Sequence, residues 1–277
     1  MRWCLLFYAV FFSVVVKSAP ITVVHNKVST KNEEYVLGLL ALALSYSAKD
    51  YEFAEVKEVY NQARQQEEVF TGSLSVFWAG TSKSLEEKFQ PVRIPLFKGL
   101  LGHRVLLIRK GDQSRFDQVS SLEALKQIRF GQGSTWADTE ILRAAGFNLI
   151  TAPKYQSLFY MLDGKRFDAF PRGVHEPWQE VVKFKALDLA VEERLMLVYR
   201  MPLYFFVSKS NSALYQDINE GLEKAIADGS FDTYFLQHPL TKEVLRMANM
   251  DNRRIFYLQN PFAHPETPFD RKELWYR

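Results

Sequence analysis

HRVLLIRKG (103–111) and LMLVYRMPLYFFVSK (195–209) are the two stretches that decide the fold. Both are long and rich in β-branched and aromatic residues, which predicts extended strands. They flank a unit in which strands and helices alternate. Two extended crossings on either side of an inserted unit indicate two lobes joined by a two-strand hinge. A cleft between such lobes is the natural place for a small ligand.

Strands and helices alternate in both predicted lobes. Three strands are predicted before the first crossing: ITVVHN (21–26), YEFAEV (51–56) and LSVFWAG (74–80). Helices separate them, and the first of these helices has a capping box at Thr30 and Glu33. The inserted unit repeats the alternation. The predicted class is therefore α/β, with two lobes that each hold a mostly parallel sheet flanked by helices. Lobe 1 would comprise residues 19–108 and 204–277, and lobe 2 residues 109–203. The tail after Pro261 is expected to be loosely held.

The first residues have the order of a secretory signal peptide. A basic start at Arg2 precedes an apolar run from Leu5 to Val16, and small residues follow Lys17. The run is too short to span a bilayer comfortably, so cleavage near residue 18 and a periplasmic location are expected; an uncleaved anchor is the alternative. Cleavage would leave 259 of the 277 residues, enough for two domains.

Composition excludes several classes of function. Loss of Arg2 and Lys17 would lower the formal net charge from +3 to +1, so no basic surface for nucleic acid is expected. The only cysteine, Cys4, lies in the signal segment, and the five histidines have no metal-ligand spacing. We expect no metal and no cofactor. No catalytic motif is present, although an acid/base pair such as His175 and Glu176 stays open as an alternative.

Several motifs resemble those of bacterial periplasmic solute-binding proteins of the second structural type, in particular the polar amino-acid-binding family (family 3) that serves ABC importers. GQGSTWADTEIL (131–142) with KYQSLFYMLDGKRFDAF (154–170) is similar to the family's strand, Gly-Thr-Thr/Ser helix start and Tyr-led helix. FTGSLSVFWAGTSKSLEEKF (70–89) and INEGLEKAIADGSFDTYF (218–235) resemble two further family segments. The resemblance implies a binding protein without catalysis.

The chain departs from the family at the residues that bind the ligand. In the family an Arg on the helix after the third strand binds the ligand's carboxylate, but Thr81–Glu87 contains no Arg. In the family an Asp binds the ligand's α-amino group, and in this chain Arg172 lies close to the position of that Asp. The family's aromatic-Pro-Pro-Phe signature is absent, and His25-Asn26-Lys27 lies in that region. An ordinary α-amino acid is therefore not the expected ligand.

Arg172, at the end of the strand FDAFPRG (167–173), is the sharpest candidate for a ligand contact. A guanidinium binds a carboxylate in a bidentate manner. The alternative is a structural ion pair with Glu176 or with Asp138. Ser134 and Thr135 are predicted to open the next helix, where free N–H groups receive an anion, or to be a capping pair with Asp138.

Three residues of the first lobe complete the predicted site. Trp78 ends the third strand and would stack on the ligand or finish the core. Thr81 and Ser82 resemble the family's hydroxyl contacts, and each is equally suited to cap the helix that follows.

Together these features predict an exported monomer that closes its cleft on a small polar, anionic ligand for uptake by the membrane subunits of an ABC importer. One alternative is a sensory or accessory binding protein whose closed form is recognised by a membrane partner. An enzyme of dehydratase or hydrolase type on the same scaffold is the other.

Overall fold

A computed structural model describes residues 19–276. The predicted signal peptide and its cleavage site at residues 1–18 lie outside the described residues. Within residues 19–276, no helix combines the length and the apolar character needed to cross a membrane.

The first sheet contains the strands of the N-terminal part of the chain and one strand that returns after the inserted unit. β1 pairs in parallel with β2, and β11 pairs antiparallel with both β3 and β4. The Ser75 N–H donates to the Val24 carbonyl oxygen at 2.8 Å, which places β1 beside β3. The strands are β1 (Ile21–His25), β2 (Tyr51–Glu55), β3 (Val76–Gly80), β4 (Gln90–Val92) and β11 (Leu203–Val207).

Helices from both ends of the chain cover this sheet. The Thr30 hydroxyl accepts from the Glu33 N–H at 3.2 Å, so the predicted cap begins α1. α1 packs closely on α9, where a Cβ at Gly221 would lie 1.9 Å from the Ala43 carbonyl oxygen. The helices are α1 (Lys31–Leu44), α2 (Gln62–Thr71), α3 (Lys83–Lys88), α9 (Ser212–Ala227), α10 (Ser230–Gln237) and α11 (Pro239–Ala248).

The second sheet is mixed rather than mostly parallel. β5 pairs antiparallel with β8, β9 and β10, whereas β10 pairs in parallel with β12. The parallel pair β6–β7 adjoins this sheet through a bridge between Phe130 and Ala169. The strands are β5 (His103–Arg109), β6 (Arg129–Gly133), β7 (Asn148–Ala152), β8 (Phe170–Gly173), β9 (Leu189–Val191), β10 (Leu195–Val198) and β12 (Arg254–Tyr257).

Five short helices accompany the second sheet, and α8 begins directly after the turn that follows β8. They are α4 (Gln113–Asp117), α5 (Leu122–Lys126), α6 (Ala137–Ala144), α7 (Tyr155–Asp163) and α8 (Pro177–Lys183). The predicted lobe boundaries stay a prediction. β5, which the boundary after residue 108 would divide, lies wholly in the second sheet, and β12 pairs there too.

The segment 195–209 is two strands, not the single extended segment predicted. β10 joins the second sheet and β11 the first, and Pro202, which has no N–H to donate to a ladder, lies directly before β11. The Tyr199 N–H donates to the Gly102 carbonyl oxygen at 3.0 Å. A Cβ at Gly102 would lie 1.8 Å from the Tyr199 carbonyl oxygen, so the two crossings approach as closely as glycine permits.

The C-terminal segment (residues 258–276) is firmly held, so the expectation of a loose tail is wrong. Leu274 is fully buried, and the Trp275 indole N–H donates to the Pro268 carbonyl oxygen at 2.9 Å. The Tyr276 N–H donates to the Lys98 carbonyl oxygen at 2.7 Å. The segment leaves β12 in the second sheet and ends against the first lobe, which makes it a third crossing between the lobes.

Candidate ligand-binding site

Arg172 lies at the end of β8, where the chain turns into α8, and only 4% of the residue is exposed. Its Nε donates to Glu180 Oε2 at 2.9 Å, and Nη2 donates to Glu180 Oε1 and to Glu176 Oε1, each at 2.7 Å. The structure thus contains the ion pair with Glu176 that the sequence left open, and it adds Glu180. Direct contact of Arg172 with a ligand stays a prediction.

The pairing extends into a larger set of charges, which we call the Arg172 network: Arg104, Asp138, Arg172, Glu176 and Glu180. Arg104 Nη2 lies 3.2 Å from Asp138 Oδ2, and Nη1 lies 3.6 Å from Glu176 Oε2. Asp138 Oδ2 also accepts from Gln132 Nε2 at 3.0 Å and from the Tyr199 hydroxyl at 3.1 Å. The network therefore joins β5, β6, α6, the β8–α8 turn and the second hinge crossing.

Aromatic rings surround the guanidinium of Arg172. Its Cζ lies 4.9 Å from the ring centre of Trp136 and 4.8 Å from that of Phe170. The Tyr155 hydroxyl donates to Glu180 Oε1 at 2.7 Å, so Tyr155 takes part in the network's hydrogen bonding. These rings shield the charges from water and strengthen the electrostatic interactions between them.

The network carries an excess of carboxylate. Two guanidinium groups face three carboxylates, which gives a formal charge of −1 when all are ionised. Burial raises the pKa of Glu180 despite the opposing charge of Arg172. Burial also acts to raise the pKa of Glu176, but the charges of Arg172 and Arg104, His175 and the Gly173 N–H together outweigh it, and this pKa lies below its ordinary value. Of the two glutamates, Glu176 is therefore the one that stays ionised more firmly.

Glu176 is also the member of the network that water reaches best. Its side chain is 20% exposed, whereas the side chains of the other four members are between 3% and 7% exposed. One carboxylate oxygen accepts from the Gly173 N–H at 2.6 Å, which fixes its position. The group available to a ligand at this edge of the network is therefore a carboxylate, not a guanidinium.

Three buried polar atoms around the network have no hydrogen-bond partner among the described residues: Arg104 Nε, Gln132 Oε1 and His175 Nδ1. His175 stacks on Phe97 of the first lobe, with ring centres 4.4 Å apart. Burial lowers the pKa of His175 to about 4, so the ring is neutral at neutral pH. His175 and Glu176, the pair that the sequence left open as an acid/base alternative, both belong to this largely buried region.

Ser134 and Thr135 do not open α6, as the sequence predicted. They are exposed in the turn after β6, and the helix begins at Ala137 with Trp136 as its cap residue. Trp136 stacks parallel to Phe170 at 6.0 Å and covers Gly133, which delays the helix start. Asp138 is used by the network, so its predicted capping pair with Thr135 is not formed. A ligand contact by either hydroxyl stays a prediction.

The first-lobe residues keep their hydrogen bonds and ring contacts within their own lobe. The Thr81 hydroxyl donates to Glu86 Oε1 at 2.5 Å, and the Ser82 hydroxyl accepts from the Leu85 N–H at 3.3 Å as the cap of α3. Trp78 is half-buried and meets Phe205 edge to face at 6.4 Å. For Trp78 and Ser82 these contacts are those of the structural alternatives, whereas Thr81 binds Glu86 and does not cap α3. The ligand roles of the three residues stay predictions.

Sequence reasoning missed Arg104 and Glu180. Glu180 could have been found, because Arg172, Glu176 and Glu180 are spaced by four residues around the start of a helix. Arg104 could not, because it reaches the network only through the register of β5 on β8, which pairs Arg104 with Gly173. Within residues 19–276, no three His, Cys, Asp or Glu side chains lie where they could hold a metal ion together.

Comparisons with known proteins identify the fold. No protein-family model matches the chain, and no curated protein matches it. Among solved structures, a probable amino-acid ABC transporter extracellular-binding protein from Bacillus subtilis has a TM-score of 0.58 at 16% identity, covering 81% of this chain and all of that one. An ancestral arginine-binding protein bound to arginine has a TM-score of 0.56 at 16% identity, covering 80% and 98%.

A third solved structure is an amino-acid ABC transporter substrate-binding protein from Streptococcus pneumoniae bound to L-arginine. Its TM-score is 0.51 at 14% identity, and the match covers 77% of this chain and 84% of that one. The chain therefore has the two-lobed α/β fold of the second type of substrate-binding protein. This confirms the predicted fold class.

Proposed function

We propose that this protein is an exported solute-binding protein that closes its interlobe cleft on a small polar ligand bearing a protonated amino group. The observation that carries the proposal is the exposure of Glu176 at the edge of a network whose arginines are already paired. An ammonium group next to Glu176 would neutralise the excess carboxylate and gain a charge-assisted hydrogen bond. Glu176 lies four residues after the position where the resemblance expects an acidic residue for the α-amino group.

The anionic ligand expected from the sequence is not supported. Arg172 already holds two carboxylates, and a third would enter a buried region that carries a formal negative charge. Solved structures with the same fold are named for arginine and glutamine as their ligands. Both lines of support favour a ligand with an amine over a simple organic acid.

The remaining contacts follow from the walls of the cleft. The exposed hydroxyls of Ser134 and Thr135 would bind polar groups of the ligand from the second lobe. Trp78, Thr81 and Ser82 would line the first lobe. We propose that binding occurs without chemical conversion, in the periplasm or outside the cell, and that the closed form docks on the membrane subunits of an ABC importer. Support comes from the similar structures, which are substrate-binding proteins of such importers.

Isothermal titration calorimetry of the purified protein with L-arginine, putrescine and glutarate tests the proposal, because glutarate is a dicarboxylate without an amino group. We expect the two amines to bind and glutarate not to bind. Glu176→Gln should weaken amine binding at least about tenfold, because one charge-assisted hydrogen bond is lost. Glu123→Gln, on the exposed face of α5, is the matched control and should bind like the wild type. Tighter binding of glutarate than of the amines, or an unaffected Glu176→Gln variant, would refute the amine-binding cleft.

A further inference from the structure

A cavity of about 1330 Å³ lies where the hinge, the last strand and the C-terminal segment meet. None of the five members of the Arg172 network lines it, so it is distinct from the proposed cleft site. Its walls come from the hinge at Tyr199 and Arg200, from β12 at Ile255 and Tyr257, and from α10, α11 and the C-terminal segment.

The walls of this hinge cavity carry an excess of positive charge. Five Lys and Arg side chains and three carboxylates line it. Lys98 is paired with Asp232, Glu273 is paired with Arg271, and Arg253 donates to backbone carbonyl oxygens. Among the described residues, no carboxylate is paired with Arg200, Arg246 or Lys272. Of the three carboxylates that the described residues place in the wall, only that of Asp251 is unpaired. The cavity therefore attracts an anion.

Aromatic rings form much of the rest of the wall. Phe269 lies under Arg200, whose Cζ is 4.9 Å from the ring centre, and Phe269 is tilted against Trp275 at 5.5 Å. Tyr257, the last residue of β12, is 73% exposed. The lining phenyl, phenol and indole rings are those of Tyr199, Phe235, Tyr257, Phe269, Trp275 and Tyr276.

We propose that the hinge cavity is a second ligand site, which takes an aromatic organic anion with more than one ring. The volume exceeds the roughly 300–1,000 Å³ of ordinary small-molecule pockets, so a single small ring would leave most of it empty. The rings of Tyr257, Phe269 and Trp275 would stack on the ligand's ring system. Arg200, Arg246 and Lys272 would bind its carboxylate or sulfonate.

Fluorescence titration with 8-anilinonaphthalene-1-sulfonate tests this site, since that probe has three rings and one negative charge. N-phenyl-1-naphthylamine has the same rings without the sulfonate and is the uncharged counterpart. We expect one sulfonate probe per protein and tighter binding of the sulfonate than of the amine. Arg246→Ala with Lys272→Ala should weaken the sulfonate about tenfold and remove its advantage over the uncharged probe.

Lys242→Ala is the matched control, because Lys242 is an exposed cation on α11 that does not line the cavity. It should bind the sulfonate like the wild type. Equal melting temperatures of the wild type and all variants show that the probe reports a folded site. Equal affinity for the two probes in the wild type, or an unchanged affinity in the double variant, would overturn the proposal. L-arginine at saturation should not displace the probe, whether or not the cleft binds it.

Discussion

Arg172 in the second lobe and Arg93 in the first are each held by two carboxylates, but in different surroundings. In the second lobe, Arg172 binds Glu176 and Glu180. In the first lobe, Arg93 Nη2 donates to Glu86 Oε2 at 2.7 Å, and Nη1 lies 3.0 Å from Glu266 Oε2. We call this second set, with Thr81 and His264 on Glu86, the Arg93 network.

The two networks differ in burial and in how far along the chain their members lie. The side chains of Arg172 and Glu180 are 5% and 7% exposed, and the carboxylates follow the arginine within eight residues. Arg93 is 24% exposed, and its partner Glu266, at 68%, comes from the distant C-terminal segment. A buried charge must be paired within the protein, whereas water can replace the partner of an exposed one. Arg172 should therefore matter far more for stability than Arg93.

The largest expected effect is that of Arg172→Ala. Removing the guanidinium leaves the buried carboxylates of Glu176 and Glu180 facing each other, which should lower the free energy of unfolding by about 3–5 kcal/mol. Urea denaturation at pH 7 measures this loss. Arg166→Ala, at an exposed arginine just before β8, is the control and should change stability by less than about 0.5 kcal/mol. A loss of under 1 kcal/mol in Arg172→Ala would remove the contrast between the networks.

The next effect concerns pH and rests on His175, which is buried beside the Arg172 network. The pKa of His175 is about 4 in the folded protein against an ordinary 6.5, so the unfolded chain binds the proton more readily between these values. The resulting stability is fully present above pH 6.5 and is lost as the pH falls towards 4. Between pH 7 and pH 5 the free energy of unfolding should fall by about 2 kcal/mol from this group.

His175→Phe tests the pH effect, because it retains the ring stacked on Phe97 and removes the titration. Urea denaturation of both proteins at pH 7 and pH 5 gives the difference that belongs to His175, since the other groups titrate in both. Equal slopes in the wild type and in His175→Phe would contradict the burial of a neutral histidine at the interface between the lobes.

The same contrast explains what the sequence could and could not predict. Element order, the hinge crossings and the Arg172–Glu176 pair depend on residues near each other in the chain or on patterns of strand and helix, and the sequence indicated all of them. The end of β10 at Val198 and the start of α6 at Ala137, where Trp136 packs over Gly133, were not predicted.

Contacts between residues far apart in the chain explain why the sequence did not predict the role of Arg104 or the ordered C-terminal segment. Arg104 meets Glu176 only because β5 lies beside β8, and Glu266 meets Arg93 only because the C-terminal segment returns to the first lobe. No spacing of residues in the sequence predicts either contact. The tail after Pro261 was expected to be loosely held, yet single anchors such as Leu274 and Trp275 hold it.

Arg93→Ala should have the smallest effect of the three changes. Glu86 would lose one partner, but it would still accept from the Thr81 hydroxyl, and water could reach the space that the half-buried arginine leaves. We expect the free energy of unfolding to fall by about 1 kcal/mol, the lower end of the range for a buried acceptor that loses a donor. Glu266→Gln, which removes only the exposed pair, should cost less still. The opposite outcome is that Arg93→Ala destabilises the protein as strongly as Arg172→Ala does. In that case the Arg93 network and the C-terminal segment that it holds are as much a part of the core as the Arg172 network. The exposure of the side chains would then not explain a difference in stability between the two networks.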